Sequence, residues 1–167
     1  MPAPTYGTDI PNGFAGVPAS TPDRIINNYI NVSDKFIKNG DVVLKSTGGV
    51  IPADATATIA NFCGFAMRQV QTQIDYSDQN GAGSYAPQAP VPVLSRGETT
   101  MLCHVGSPAL FGAVYLRQAL NSSIPTGVVG GLEANEDGGN SIVIPGCEWG
   151  STIDANGNAT VLLKVQN

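Results

Sequence analysis

Residues 154–166 read Asp-Ala-Asn-Gly-Asn-Ala-Thr-Val-Leu-Leu-Lys-Val-Gln, and this stretch decides the fold class. Asn156-Gly157 is the dipeptide best suited to a tight hairpin turn, whose central positions take positive φ. Behind it, Ala159, Val161, Leu163 and Val165 alternate with Thr160, Lys164 and Gln166. Successive side chains of a strand point to opposite faces, so this period of two predicts a half-buried strand. Further short strand-forming segments, punctuated by turns, lie back along the chain in SIVIPG, GVVGGLEA, GAVYLR, ETTMLCHV, VPVL, FCGFAM and DVVLKS. Turns are expected at Asn39-Gly40, at Gly48-Gly49 and at Ser95-Arg96-Gly97. Only Val114–Leu120 has much competing helical character, and Gly and Pro flank it closely. Many short strands at even spacing predict an all-β fold, either a small β-barrel or a jelly-roll/sandwich.

Composition narrows the uses of such a fold. A chain of 167 residues is long enough for one domain to bury roughly two-thirds of its unfolded surface. Charged residues are only 13%, and 8 Lys plus Arg against 13 Asp plus Glu leave a net charge of −5. An acidic chain with singly scattered basic residues is a poor ligand for nucleic acid. No stretch approaches the ~20 apolar residues of a membrane-spanning helix. The first twenty residues contain no Lys, no Arg and no apolar run, so they do not read as a signal peptide. Cys63, Cys103 and Cys147 are odd in number and lack CxxC spacing, which fits reduced, buried thiols of a protein made in a cytoplasm.

Residues 1–22 hold five prolines and read as an extended Pro-rich N-terminal arm, with 23–167 as a single all-β domain. Tyr6, Ile10, Phe14 and Val17 recur along the arm. A purely solvated tail seldom carries such residues, so the arm is expected to lie on a partner surface or on its own domain. Deleting residues 1–22 is expected to leave the β domain folded. Residues 23–38 carry both a helix-start signal, Thr21-Pro22-Asp23, and strand-forming Ile26, Ile30 and Val32; strand is the favoured reading. Tyr76–Pro90 is a long loop, and Tyr76 and Tyr85 flanking its NGAGS segment resemble a recognition surface. Trp149, between Gly146 and Gly150, is either an interface anchor or a core plug at one end of the barrel.

The chemistry-bearing residues are few. His104 is the single histidine, and its neighbour Cys103 points to the opposite face of a strand, so the two cannot share a proton. Asp154 starts a calcium-like loop, but the twelfth position is Val165 rather than an acid, and a hairpin turn is the better reading. Glu133, Glu136 and Asp137 in LEANEDGG form an acidic loop, read as solvated rather than as a cation site. Gly127-Val-Val-Gly130-Gly131 lacks the lysine and helix of a phosphate site. No catalytic, cofactor-binding or metal-binding residues are assigned, and binding and assembly remain.

The segments Pro92-Val93 with Arg96-Gly97-Glu98, Gly112–Arg117 and Pro145–Leu162, with GDVVLKS and Gly64-Phe65-Ala66 before them, resemble the cement (decoration) proteins of tailed-bacteriophage capsids. The resemblance covers about residues 40–167. It implies a small β-barrel or jelly-roll that binds the major capsid (coat) protein on the outside of the head as a homo-oligomer, dimer or trimer. It also implies a virion component assembled in the host bacterial cytoplasm, with neither nucleic acid nor membrane as partner. The arm residues, Tyr76, Tyr85 and Trp149 are the expected capsid or subunit contacts. The alternative is a β-sandwich recognition module of a phage fibre or adhesin, using Tyr76, Tyr85 or Trp149 to stack on a carbohydrate or receptor.

Overall fold

The computed structural model describes residues 12–19, 23–68 and 83–164. Among them the chain forms β1 (Ile25–Ile30), β2 (Ile37–Lys38), β3 (Val42–Ser46), β4 (Gly49–Pro52), β5 (Phe62–Ala66) and β6 (Ser84–Tyr85). These are followed by β7 (Pro90–Val105), β8 (Ala113–Arg117), β9 (Leu132–Glu133), β10 (Ser141–Trp149) and β11 (Asn158–Leu163). A single 3₁₀ turn at Gly138–Asn140 is the only helical element in these residues. The fold is all-β, as the two-residue periodicity predicts, and Ile25–Ile30 is a strand. Val114–Leu120, with its competing helical character, supplies most of strand β8.

The second half of β7 pairs with β11, which pairs with β10, then β8, then β9, and β9 returns to β7. These five strands close a barrel, so it has no free edge. The first half of β7 lies between β1 and β5 in a second sheet, which continues through β3 to β4. One 16-residue strand therefore serves both sheets. It changes sheet at Gly97, where φ is +120° and a Cβ would lie 2.9 Å from Arg24 Cβ. A side chain would have neither the conformation nor the room. The expected turn at Ser95-Arg96-Gly97 is thus corrected: the glycine bends a continuous strand without reversing it.

Two cores follow from alternation along the shared sheet. Val42, Leu44 and Leu94 face the barrel, where they meet Leu116, Leu132, Trp149 and Val161. Val43, Val91 and Val93, one residue out of phase, face a smaller core capped by Ile37 of β2 and Tyr85 of β6. Phe62 and Phe65 both join the barrel core although they are three apart, because the β3–β5 register slips between their pairings. That bulge inserts one residue and restores the parity. Ala159, Val161 and Leu163 are buried, as their alternation predicts.

Beneath the barrel's side lies a buried ionic cluster. The Arg117 guanidinium has no exposed surface and donates through Nε and Nη2 to both carboxylate oxygens of Glu133, equally buried, the second bond at 3.0 Å. Its Nη1 donates to Asp137 Oδ2 at 2.8 Å and to the Ala119 carbonyl at 3.0 Å. Gly127 packs directly on the guanidinium, where any Cβ would overlap Nε. The expectation of a solvated acidic loop is corrected here: two of its three carboxylates are counter-ions of one buried arginine, and Glu136 alone of the three is exposed. GVVGGLEA is likewise mostly tight turn, with only Leu132–Glu133 in strand, because it must wrap Arg117.

Arg117→Met keeps the volume and leaves Glu133 buried without its cation, so it should destabilise the fold by about 3–5 kcal/mol in denaturant melts. Adding Glu133→Leu should recover most of that loss, as expected of an ion pair replaced by apolar packing. Burial pushes the Asp137 carboxyl up, but the Asn121 amide and the Arg117 guanidinium outweigh it and hold the carboxyl below its ordinary range. A depressed folded-state value means that its contribution is complete above about pH 4–5 and is lost as pH falls below the ordinary carboxylate range. Asp137→Asn should flatten that acid limb.

Candidate functional site

The arm is the first feature to place. From Asn12 to Ala19 it lies along β7 and the β10–β11 connection. Gly16 and Ala19 N–H groups donate to the Thr100 and Glu98 carbonyls at 2.9 and 3.1 Å, and Thr100 N–H donates to Val17 O at 2.9 Å. The buried hydroxyls of Thr99 and Thr100 donate to Val17 O and Asn12 O at 3.0 and 2.6 Å. Asn12 is held at the turn: its backbone N–H donates to Asp154 Oδ2, and its amide donates to the Thr152 and Asn158 carbonyls. This part of the arm is bound to its own domain. Tyr6 and Ile10 lie outside the described residues.

Asp154 joins the arm to the turn. Its Oδ1 accepts from Asn156 and Asn158 N–H at 2.8 and 3.0 Å, which turns the chain at the end of the eight-residue β10–β11 connection. The expected tight hairpin at Asn156-Gly157 is corrected, since Gly157 alone of the two has positive φ. Burial raises the Asp154 carboxyl, yet the N–H donors of Asn158, Asn156 and Asn12 together hold it below the ordinary carboxylate range. These bonds occupy the carboxylate within the fold.

Phe14 is 66% exposed, on backbone fixed by its neighbours, with the Arg68 guanidinium 5.7 Å above its ring. Val17 is half-buried, and its carbonyl is used by β7. Of the two readings of Trp149 the structure shows the core plug, and the expectation of an exposed Tyr85 is corrected. Trp149 has no exposed surface and fills the barrel core, with its indole N–H lacking an acceptor among the described residues. Tyr85 is buried because β6 pairs with β2 and turns the ring onto the second core, where its hydroxyl donates to Met67 O at 2.5 Å. Neither ring has surface left for a partner. The loop expected at 76–90 is structured from Ser84 on, and Tyr76 lies outside the described residues.

Apolar surface appears where composition gave no hint of it. The β7–β8 connection, GSPALFG at 106–112, exposes Leu110 and Phe111 at 57% and 71%. Phe111 also has φ +65°, a conformation costing a non-glycine residue about 1–3 kcal/mol. Ile153, in the β10–β11 connection, is exposed at the same end of the barrel. A run of Leu-Phe between Pro108 and Gly112 was the available signal, since apolar pairs in turns have no core to enter. A second apolar surface is β1, whose Ile25, Ile26, Tyr29 and Ile30 are all exposed. That strand pairs with β7 on one edge, and its second edge meets β4 at the end of the strand, where Asn31 bridges Val50 and Val32 N–H donates to Val50 O.

The remaining polar groups serve the fold. Cys103 packs against the barrel core and its thiol donates to Val105 O at 3.3 Å. His104 faces the other way, into a depression of about 330 Å³ that also has Lys38 and Asp41 on its wall. Burial lowers the His104 value and raises that of Asp41, whose carboxylate accepts the Lys38 N–H at 2.7 Å. Burial also pushes the Cys147 thiol far up, so it stays protonated. Among the described residues no group of three His, Cys, Asp or Glu side chains is placed to hold a metal ion.

The barrel thus pairs its buried arginine internally and exposes apolar residues at Phe14, on the Leu110–Phe111 loop and along β1. The chain belongs to the phage family described as "Structural cement protein (E217 gp24/Pam3 gp6)", which matches residues 2–166. It is a structural capsid decoration protein, associated with the virion. Its fold is similar to a chain of "The capsid of Myoviridae Phage XM1", with a TM-score of 0.71 and 18% identity over 96% of this chain and 95% of that one. No curated protein matches the sequence.

The hydrogen bonds of residues 12–19 alter the expected effect of truncation. Removing 1–22 breaks these bonds, uncovers Thr99 and Thr100, and should cost several kcal/mol, up to about 8 kcal/mol at a net ~1 kcal/mol for each bond described. That corresponds to a fall of more than about 10 °C in calorimetry.

Proposed function

We propose that this protein binds the outer surface of the phage head, contacts the major capsid protein with residues 1–22, and thereby holds neighbouring coat subunits together. The observation that carries this reading is Phe14, an exposed ring on an arm whose backbone is pinned to the barrel on either side of it. Ordering the backbone before binding lowers the entropy lost on contact. Tyr6 and Ile10, further along the same arm, extend the apolar contact, and Tyr76 on the 76–90 loop adds to it. Each contact is weak, but many copies on a closed lattice act together through effective concentration.

The protein acts without catalysis, cofactor or metal, and assembles onto heads in the host bacterial cytoplasm. It forms a dimer or trimer, a reading supported by the exposed apolar side chains Ile25, Ile26, Tyr29 and Ile30 of strand β1. Burial of Tyr85 and Trp149 weighs against the recognition-module alternative, since two of its three stacking platforms are inside the protein.

Co-sedimentation with heads stripped of this protein tests the reading. Full-length protein should bind saturably, and the form lacking residues 1–11, which keeps every described arm contact, should bind at least tenfold more weakly. Equal binding by the two forms would remove residues 1–11 from the contact and leave Phe14 as the arm's remaining exposed ring. Absence of binding by folded full-length protein would overturn the capsid reading itself.

A further inference from the structure

Phe111 is the one aromatic residue in the described chain that is both conformationally strained and largely exposed. Its position is fixed rather than loose. Phe111 N–H donates to Trp149 O at 2.7 Å and Trp149 N–H donates to Gly112 O at 2.9 Å, so the loop tip is clamped to the end of β10. Glycine would adopt φ +65° without penalty, and a polar side chain would suit the solvent better. The phenylalanine thus costs the fold twice while most of its surface is left in solvent. A strained, solvent-facing ring of this kind is explained by what it touches outside the chain.

The surroundings indicate what that is. Asn12 is hydrogen-bonded to Thr152, Asp154 and Asn158 at the β10–β11 turn, which lies at the same end of the barrel as Phe111, Leu110 and Ile153. The described chain begins at this end, with Asn12, and the eleven residues that precede it have a fully extended length of at most about 36–40 Å. If this end faced away from the head, the arm would first have to pass the barrel portion of β7, Gly97–Val105, which is about 30 Å long. Little reach would remain for contact. If this end faces the head, arm and loop meet the same surface.

We propose that the barrel end bearing Leu110, Phe111 and Ile153 is the face turned to the capsid, with the Phe111 ring seated in an apolar depression of the coat protein beside the arm's contact. This inference rests on the capsid-binding reading and adds the orientation and a second anchor to it.

The test is full-length Phe111→Gly, with Leu110→Ser as the second variant, in co-sedimentation with stripped heads and in thermal melts. Phe111→Gly relieves the strain, so its melting temperature should stay level or rise by about 2–4 °C, while its binding to heads should weaken about tenfold or more. A merely structural role cannot give opposite signs in the two readouts. Leu110→Ser should weaken binding with the fold intact. Wild-type binding with unchanged affinity of both variants would overturn the proposal and leave the capsid reading standing. So would a variant that loses self-association in sedimentation velocity yet binds heads normally, because the patch would then join copies of this chain. Wild-type protein that fails to bind heads would overturn both.

Discussion

Sixteen consecutive residues of β7 belong to two sheets at once, and the rest of the structure depends on that sharing. The barrel closes through its second half, and the smaller core is covered through its first half. The bend at Gly97 sets the angle between them, and it also places Arg24 against the strand, which carries the chain from the arm into β1. The arm then runs back beside Glu98, Thr99 and Thr100, just beyond the bend. A side chain at position 97 would therefore disturb both sheets and the anchoring of the arm together.

The charges have an inward and an outward consequence. Inside, Arg117 with Glu133 and Asp137 replaces apolar packing where the barrel wall is made by the two-residue strand β9 and a glycine-rich turn. So short a strand supplies few ladder bonds, and a bidentate pair between β8 and β9 fixes their register instead. Outside, a 13% charged fraction leaves a surface on which apolar residues are frequent, at β1, at Phe14 and at the Leu110–Phe111 tip. Such a surface is an aggregation liability on a free monomer and an asset on a lattice that covers it.

Much of the fold was legible in the sequence because strand alternation and Gly/Pro/Asn punctuation are local signals. The β11 pattern at Ala159, Val161 and Leu163 and the Asn156-Gly157 turn are examples. Features that depend on distant partners were not. Ser95-Arg96-Gly97 looks like a turn because the second sheet that lets β7 continue is invisible locally. Glu133 and Asp137 look like a solvated loop because their arginine lies at least sixteen residues earlier. Tyr85 looks like a loop aromatic because its partner strand, Ile37–Lys38, is far upstream. The family was legible from the segments around Arg96, Gly112 and Pro145, while the exposed contact residues were not, since no periodic pattern marks a residue as displayed.

Cement action on this account is mechanical. A rigid barrel presents an arm and a loop tip from one end, and multivalent attachment to adjoining coat subunits opposes their separation. A reconstruction of the decorated head, compared with one of stripped heads, tests this most directly. The account predicts added density on the outer shell, fitted by the barrel with Asn12 and Phe111 toward the coat and the arm reaching across a subunit boundary. Density that fits only with that end turned outward, or no added density at all, would contradict it.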